Sequence, residues 1–203
     1  MDTIRRIRHA PVLLDLDGTV VDSAQAIDVS VRAACSHVGV HVAAAADLAF
    51  CFGPPLHESL AKLGVAEEQM SEAMRVFAEH HWERAVHLLR PMPGALRALE
   101  LFAEAGIATA IVTVKPTGSA ERVLRTLGVE HLFSAVLGRT DDFDPRTKTD
   151  LLGEALVHPA LGGDRPIFIG DQPSDRAAAH AHGVPYLHHP NATWRHILDA
   201  VLG

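Results

Sequence analysis

Four stretches of this 203-residue chain carry side chains whose types and spacing suit one kind of chemistry. The first is Leu14-Asp15-Leu16-Asp17-Gly18-Thr19. If the apolar run before it is a strand, Asp15 and Asp17 stand two residues apart and project to the same side. Carboxylates that close repel each other unless a cation or a shared proton intervenes. Gly18 permits a turn and lets backbone approach a ligand closely. Alone, the stretch also fits an ordinary surface Asp-x-Asp-Gly turn. The remaining three stretches change that balance: Ile111-Val112-Thr113, Lys148-Thr149-Asp150-Leu151-Leu152, and Gly170-Asp171-Gln172-Pro173-Ser174-Asp175. Together they supply a hydroxyl, an ammonium and two further carboxylates. The chain has only three lysines, Lys62, Lys115 and Lys148, among 18 basic residues, so a lysine here departs from its habit of using arginine. The set suits phosphoryl transfer. A carboxylate can attack phosphorus and split hydrolysis into two easier steps. The phosphate charge must then be offset by Mg²⁺, a lysine and hydroxyl or backbone donors, and Mg²⁺ prefers one or two carboxylates plus phosphate oxygen and water. A second carboxylate two residues on is placed to protonate the leaving oxygen and later to accept a proton from water.

These residues need a scaffold that brings distant segments to one edge. Five short apolar runs read as buried strands: Pro11–Leu16, Ile107–Val114, Leu132–Leu137, Pro166–Ile169 and Val184–Leu187. Each is bounded by Gly, Pro or Asp, as strands covered on both faces are. Helical patterns separate the later ones. Ala95, Leu99, Phe102 and Ala105 recur at helical spacing up to Gly106, and Val123, Leu124 and Leu127 stop at Gly128. The alternation predicts an α/β fold with a Rossmann-like parallel sheet of about five strands. About ninety residues separate the first strand from the second, and most of them read as helix. Ser23 is placed to cap a helix with Ile27, Val31, Ala34 and Val38 on one face, closed by Gly39. A second helix is expected from about Glu67 to Leu88, with Met70, Met74, Phe77 and Ala85 on a face, before Pro91 and Pro93-Gly94 restart the core. The expected organisation is a core of residues 1–22 and 91–203 with an inserted α-helical cap, 23–90, over the strand ends where α/β sheets bind ligands.

Composition excludes several function classes. A net charge of −7 with His neutral argues against nucleic acid and anionic membrane as partners. No apolar run approaches the ~18 residues that span a bilayer. The basic start, with Arg5, Arg6 and Arg8, lacks the apolar stretch of a signal peptide and reads as a solvated arm. Cys35 and Cys51 read as buried thiols, with no disulfide framework. A cytoplasmic protein is expected. Its oligomeric state is not readable from the sequence. His80-His81, His180-x-His182 and His188-His189 offer no clear third ligand, so surface or core roles are expected over a transition-metal site.

Asp15-Leu-Asp17-Gly-Thr-Val-Val-Asp22-Ser, Thr113, Lys148 and Gly170-Asp171-x-x-x-Asp175 closely resemble, in order and over nearly the whole chain, the four motifs of the haloacid dehalogenase-like hydrolase superfamily. The stretch Phe52-Gly53-Pro54-Pro55-Leu56-His57-Glu58-Ser59-Leu60 is similar to the cap loop of its phosphoglycolate phosphatase and 5′-nucleotidase-like branch. The resemblance implies a Mg²⁺-dependent phosphomonoester hydrolase acting on a small phosphorylated metabolite such as phosphoglycolate. It implies Asp15 as the nucleophile that becomes an aspartyl phosphate, and Asp17 as general acid and base. Thr113 and Lys148 would hold phosphoryl oxygens. Mg²⁺ would be bound by Asp15, the Asp17 backbone carbonyl and Asp171, with Asp175 in support. Gly18, Gly53, Pro54 and Lys115 are the implied substrate neighbours. Val114 and Gln172 stand where small polar residues are usual in the family, and Lys148 is followed by Thr-Asp instead of Pro-x-Pro.

Other classes remain to be weighed. Dehalogenases of the superfamily lack the second Asp and the metal, so Asp17 and Asp171 speak against that chemistry. Lys62 as a Schiff-base lysine is disfavoured because the related phosphonate hydrolases have alanine where Asp17 stands. A 5′-nucleotidase, a sugar-phosphate phosphatase or a mutase would use the same motifs. A non-enzymatic phospho-receiver shares an acceptor Asp, a Thr and a Lys in that order. Receivers, however, are shorter and have neither a helical insertion after the first strand nor Gly-Asp-x-x-x-Asp near the end.

Overall fold

The computed structural model of the protein describes residues 10–161, 165–189 and 193–203; Arg5, Arg6 and Arg8 lie outside them. The strands among the described residues are β1 (Val12–Leu14), β2 (Val21–Asp22), β3 (Arg90–Pro91), β4 (Thr109–Pro116), β5 (Ala135–Arg139), β6 (Ile167–Gly170) and β7 (Tyr186–His188). The helices are α1 (Ala24–His37), α2 (Leu56–Lys62), α3 (Glu67–His80), α4 (Ala95–Glu104), α5 (Thr117–Thr126), α6 (Lys148–Leu156), α7 (Pro173–His182) and α8 (Trp194–Leu202). Five strands form one parallel sheet in the order β5-β4-β1-β6-β7, and β2 pairs with β3. The expected α/β fold with a five-stranded parallel sheet is therefore present. The chain divides into two compact units: described residues up to Val21 together with those from Pro91, and Asp22–Arg90.

The sheet unit follows from strands apolar on both faces. Val12, Leu13 and Leu14 of β1 are all fully buried, as an interior parallel strand requires. Leu13, Ala110, Val112 and Phe168 pack with Leu151, Leu152 and Ala155 of α6 and with Ala178 and Ala179 of α7. Alternate residues point to the opposite face, and there Val12, Leu14, Ile111, Ile167 and Ile169 are also fully buried. The chain leaves β1 for β4 and β5 on one side, then crosses to β6 and β7 on the other. That reversal beside β1 is where open parallel sheets hold ligands, outside the carboxyl ends of their strands.

The second unit is helical. Ile27, Val31, Ala34 and Cys35 of α1 form a core with Leu60 of α2, Ala73 of α3 and Cys51, while Met70, Met74 and Phe77 pack partly buried against it. Cys35 and Cys51 are free thiols. Two local expectations are corrected here. Ser23 occupies the N-cap position of α1 but makes no capping hydrogen bond, because its backbone is helical (φ −109°, ψ 0°) instead of extended. Asp22 takes that role, its Oδ1 accepting from the Ala24 amide at 3.2 Å. The helix expected from Glu67 to Leu88 is α-helical only to His80; a π-helical turn, His81–Ala85, and a 3₁₀ turn, Val86–Leu88, complete it. Local hydrogen-bond spacing of this kind leaves no mark on apolar periodicity.

Leu13→Ala, at the centre of the sheet, is expected to lower the unfolding free energy by about 2–5 kcal/mol. Urea denaturation measures it, and a loss below about 1 kcal/mol would contradict the packing described for this strand.

Candidate active site

Sheet register brings the chemistry-bearing residues to one edge. Leu14 of β1 pairs with Ile111 of β4 and with Ile169 of β6, so Asp15 stands level with Val112 and Gly170. The Asp15 amide continues the ladder, donating to the Ile169 carbonyl at 2.9 Å. Thr113 and Asp171 then lie one residue further along the neighbouring strands. Thr113 lies inside β4, which runs on to Pro116, two residues beyond the expected strand end at Val114.

Lys148 links these strands. Its Nζ donates to Asp15 Oδ1 at 2.6 Å and to the Val112 carbonyl at 3.0 Å, and it pairs with Asp175 Oδ1 at 2.9 Å. An ammonium has three protons; two of them serve the Asp15 and Val112 oxygens, and the Asp175 contact is an ion pair. Lys148 is 5% exposed and Asp175 fully buried. Lys148 is the first residue of α6, where the Thr147 hydroxyl accepts from the Asp150 amide and the Asp150 carboxylate accepts from the Thr147 amide. This reciprocal capping fixes where the helix begins.

The loop ahead of α6 is tied down separately. The Asp144 carboxylate accepts from the Thr140 amide at 2.8 Å, from the Arg146 amide at 2.9 Å and from the Arg146 guanidinium at 2.6 Å. The same guanidinium reaches Glu154 on α6 at 2.9 Å and the Gly138 carbonyl of β5 at 3.1 Å. Arg146 and the Thr140 and Arg146 amides hold the Asp144 carboxyl well below the usual carboxylate range.

Two glycines permit the close approach of the acidic residues. A Cβ on Gly18 would overlap the Asp171 carboxylate, and Gly18 is left-handed at φ +81°. A Cβ on Gly170 would overlap the Asp175 carboxylate. The Thr19 hydroxyl donates to Asp171 Oδ1 at 3.2 Å, the Gln172 side-chain amide donates to Asp171 Oδ2 at 2.6 Å, and the Gln172 backbone amide donates to Asp175 Oδ2 at 2.9 Å.

Asp15 and Asp17 pair with different lysines. The strand ends at Leu14, and the Asp17 carboxylate pairs with Lys115 at 2.9 Å while Asp15 pairs with Lys148. Two ammonium groups thus supply the compensation that the spacing of the two aspartates demands. Buried Thr113 accepts at its hydroxyl from the Lys115 amide at 3.2 Å, which ties its side chain to the strand segment carrying Lys115.

The electrostatics are unbalanced. Burial pushes the Asp15 carboxyl up, with Asp175 and Asp171 adding to the rise, against the pull of Lys148. Burial likewise raises Asp171, and Asp175 contributes. Desolvation opposes the charge on Lys148, but Asp15 and Asp175 outweigh it and hold the ammonium charged. Asp15, Asp171 and Asp175 each present a carboxylate oxygen within 4.8 Å of the others. One ammonium among three carboxylates leaves excess negative charge in a buried place, and the donors are all hard oxygens. Such a set fits a divalent cation of the Mg²⁺ kind. The Asp17 carboxylate is outside this group.

Among the expected site residues, Asp15, Asp17, Gly18, Thr113, Lys115, Lys148, Asp171 and Asp175 all belong to the sheet unit. Gly53 and Pro54 belong to the helical unit, where Gly53 is left-handed (φ +99°) ahead of α2. Sequence reasoning missed the partners that hold the site residues: Thr19, Gln172, the Val112 carbonyl and His189. Thr19 and Gln172 sit beside the motif aspartates, which is a usable signal. The Val112 carbonyl and His189 carry none, because only tertiary packing brings them in.

Lys148→Met is expected to cost about 3–5 kcal/mol of stability at pH 8 in EDTA, by leaving Asp15 and Asp175 buried without their cation. The orphaned carboxyls then titrate higher in the folded than in the unfolded state, so stability falls as pH rises through that range. The deficit should narrow as the pH drops toward 5. Thermal denaturation across pH measures it, and a pH-independent deficit would overturn this account.

A model of the haloacid dehalogenase-like hydrolases matches residues 12–188. The tyrosine-protein kinase PtkA of Mycobacterium tuberculosis is 32% identical over 173 residues, 85% of this chain. The chain spans 59% of that relative's length. A 5′-nucleotidase of Pseudomonas aeruginosa is 27% identical over 179 residues, 88% of this chain and 81% of the relative. The crystal structure of a predicted phosphatase from Clostridium acetobutylicum matches with a TM-score of 0.78 at 25% identity, over 89% of this chain and 84% of that one. The 5′-nucleotidase is, by name, of the branch that the Phe52–Leu60 stretch resembles. With the four motifs gathered at one sheet edge and a family match over most of its length, the chain belongs to the haloacid dehalogenase-like hydrolases.

Proposed function

We propose that the chain is a phosphomonoester hydrolase acting on a small phosphorylated metabolite, phosphoglycolate or a 5′-nucleotide being the first candidates. The observation that carries this reading is the Asp15 carboxylate, buried at the tip of β1 and held 2.6 Å from the Lys148 ammonium beside Asp171 and Asp175. Burial pushes the Asp15 carboxyl up to about 7, and Lys148 works against that rise and favours the carboxylate form for attack. In the proposed reaction an Asp15 oxygen bonds to phosphorus while the bond to the leaving oxygen breaks, and Asp17 in its acid form gives that oxygen its proton. Water then attacks the phosphorus of the aspartyl phosphate, Asp17 takes a proton from it, and inorganic phosphate leaves with Asp15 restored. Thr113 and Lys148 orient the phosphoryl oxygens. Lys115 holds Asp17 in place between the two steps, and Gly18 lets backbone come close to the substrate.

Asp15, Asp171 and Asp175, with the Asp17 backbone carbonyl, would hold Mg²⁺. That ion would offset phosphate charge at the reacting centre. The helical segment 23–90, which carries Gly53 and Pro54, is proposed as the part of the chain that selects the leaving group. The free, buried Cys35 and Cys51 suit a cytoplasmic setting. A second reading is favoured by the likeness to a relative named a tyrosine-protein kinase: the same groups could pass the phosphoryl group to a hydroxyl acceptor instead of water.

A panel of phosphomonoesters, assayed with Mg²⁺ and with EDTA, tests the proposal. Phosphate release from at least one small compound is expected, abolished by EDTA and lowered at least about 10³-fold in Asp15→Asn with folding kept. Undiminished hydrolysis by Asp15→Asn, with deamidation excluded by mass spectrometry, would overturn the covalent route. Label moving from [γ-³²P]ATP to tyrosine with no phosphate release would favour the second reading.

A further inference from the structure

His189 follows β7 and is 4% exposed. Its backbone amide donates to the Gly170 carbonyl at 2.9 Å, anchoring it beside Asp171. Its ring packs 5.7 Å from that of Trp194, and its Nδ1 lies 3.2 Å from the Gly18 carbonyl. A carbonyl offers only lone pairs, so Nδ1 carries the proton and the imidazole donates. The peptide it holds belongs to the turn that lies against Asp171, where a Cβ on Gly18 would overlap the Asp171 carboxylate and the Thr19 hydroxyl donates to it. The turn is thus held at two points, by Asp171 and by His189.

We infer that His189 is a positioning residue, its Nδ1–H fixing the Asp17-Gly18-Thr19 turn against Asp171 so that the general acid and the acidic cluster keep their spacing. The inference rests on the phosphohydrolase reading for its kinetic consequence, but the contact acts on the acidic cluster whether or not substrate turns over. In the proposed reaction this turn carries the acid, Asp17, and lies against the acidic cluster. Loss of the imidazole donor therefore acts on divalent-ion affinity and on kcat together. Supporting contacts of this kind typically change metal affinity about 10–100-fold when removed.

Three variants separate hydrogen bond from packing. His189→Asn keeps an N–H donor where Nδ1 stands, His189→Phe keeps an aromatic ring against Trp194 without the donor, and His189→Ala removes both. Mn²⁺ binding to each metal-free protein, followed by the loss of the free-ion electron paramagnetic resonance signal, gives a readout independent of turnover. Phosphatase kinetics are measured alongside, and circular dichroism checks folding. His189→Phe and His189→Ala are expected to bind Mn²⁺ about tenfold or more weakly, with kcat lowered in parallel. His189→Asn should return both quantities to within about threefold. Parent-like Mn²⁺ binding in His189→Phe, or failure of His189→Asn to restore it, would overturn the inference. If the parent protein binds Mn²⁺ but hydrolyses nothing on the panel, the functional reading fails while the Mn²⁺ series still decides the role of His189.

Discussion

The Lys148 ammonium between Asp15 and Asp175 is the interaction on which the site's arrangement depends. Each partner is buried, so each would pay a large desolvation penalty alone. Lys148 comes from the start of a helix, Asp15 from the tip of the central strand and Asp175 from the first turn of α7. One cation therefore ties three segments, and it also donates to the Val112 carbonyl on a fourth. A buried ion pair is weak evidence for stability in itself. Its worth here is positional: it puts an oxygen of Asp15 at a defined place beyond the strand end.

That placement needs support from behind. Lys148 can reach inward only if α6 starts where it does, and the Thr147–Asp150 capping pair sets that start. The preceding loop is clamped by Asp144 and Arg146, which also bridges β5 to the body of α6 through Gly138 and Glu154. On the acidic side the fit is governed by what is missing. Gly18 and Gly170 leave out the side chains that would occupy the space of the Asp171 and Asp175 carboxylates. Backbone at close range, not a ring of side chains, gives the acidic group its shape.

Much of this was legible in the sequence because it rests on local rules. Strands buried on both faces appear as apolar runs, and a parallel sheet ordered by crossovers brings their carboxyl ends to one edge. Hence Asp15, Thr113, Lys148, Asp171 and Asp175 could be grouped from the sequence, and the motif resemblance assigned their roles. Features set by backbone dihedrals or tertiary contact were not legible. Ser23 has the right residue type for a cap but a helical ψ, so Asp22 supplies the hydrogen bond. Asp17 has the spacing to share a cation with Asp15, yet the strand ends before it and its carboxylate meets Lys115. His189 is one of fourteen histidines and nothing in its neighbours marks it.

The separation of Asp15 and Asp17 onto two lysines has a chemical consequence. In the proposed reaction Asp15 is the nucleophile and Asp17 the acid–base catalyst, and these need opposite properties, one a free lone pair and the other a movable proton. If both carboxylates shared one cation, changing the protonation of either would change the other. Here Lys148 is bound among fixed buried acceptors, whereas Lys115 and Asp17 form a pair nearer to solvent, at 17% and 12% side-chain exposure. The deeper pair suits a group that must stay in place. The shallower pair suits one that must exchange a proton with an entering water, and its position follows from β1 ending one residue before Asp15.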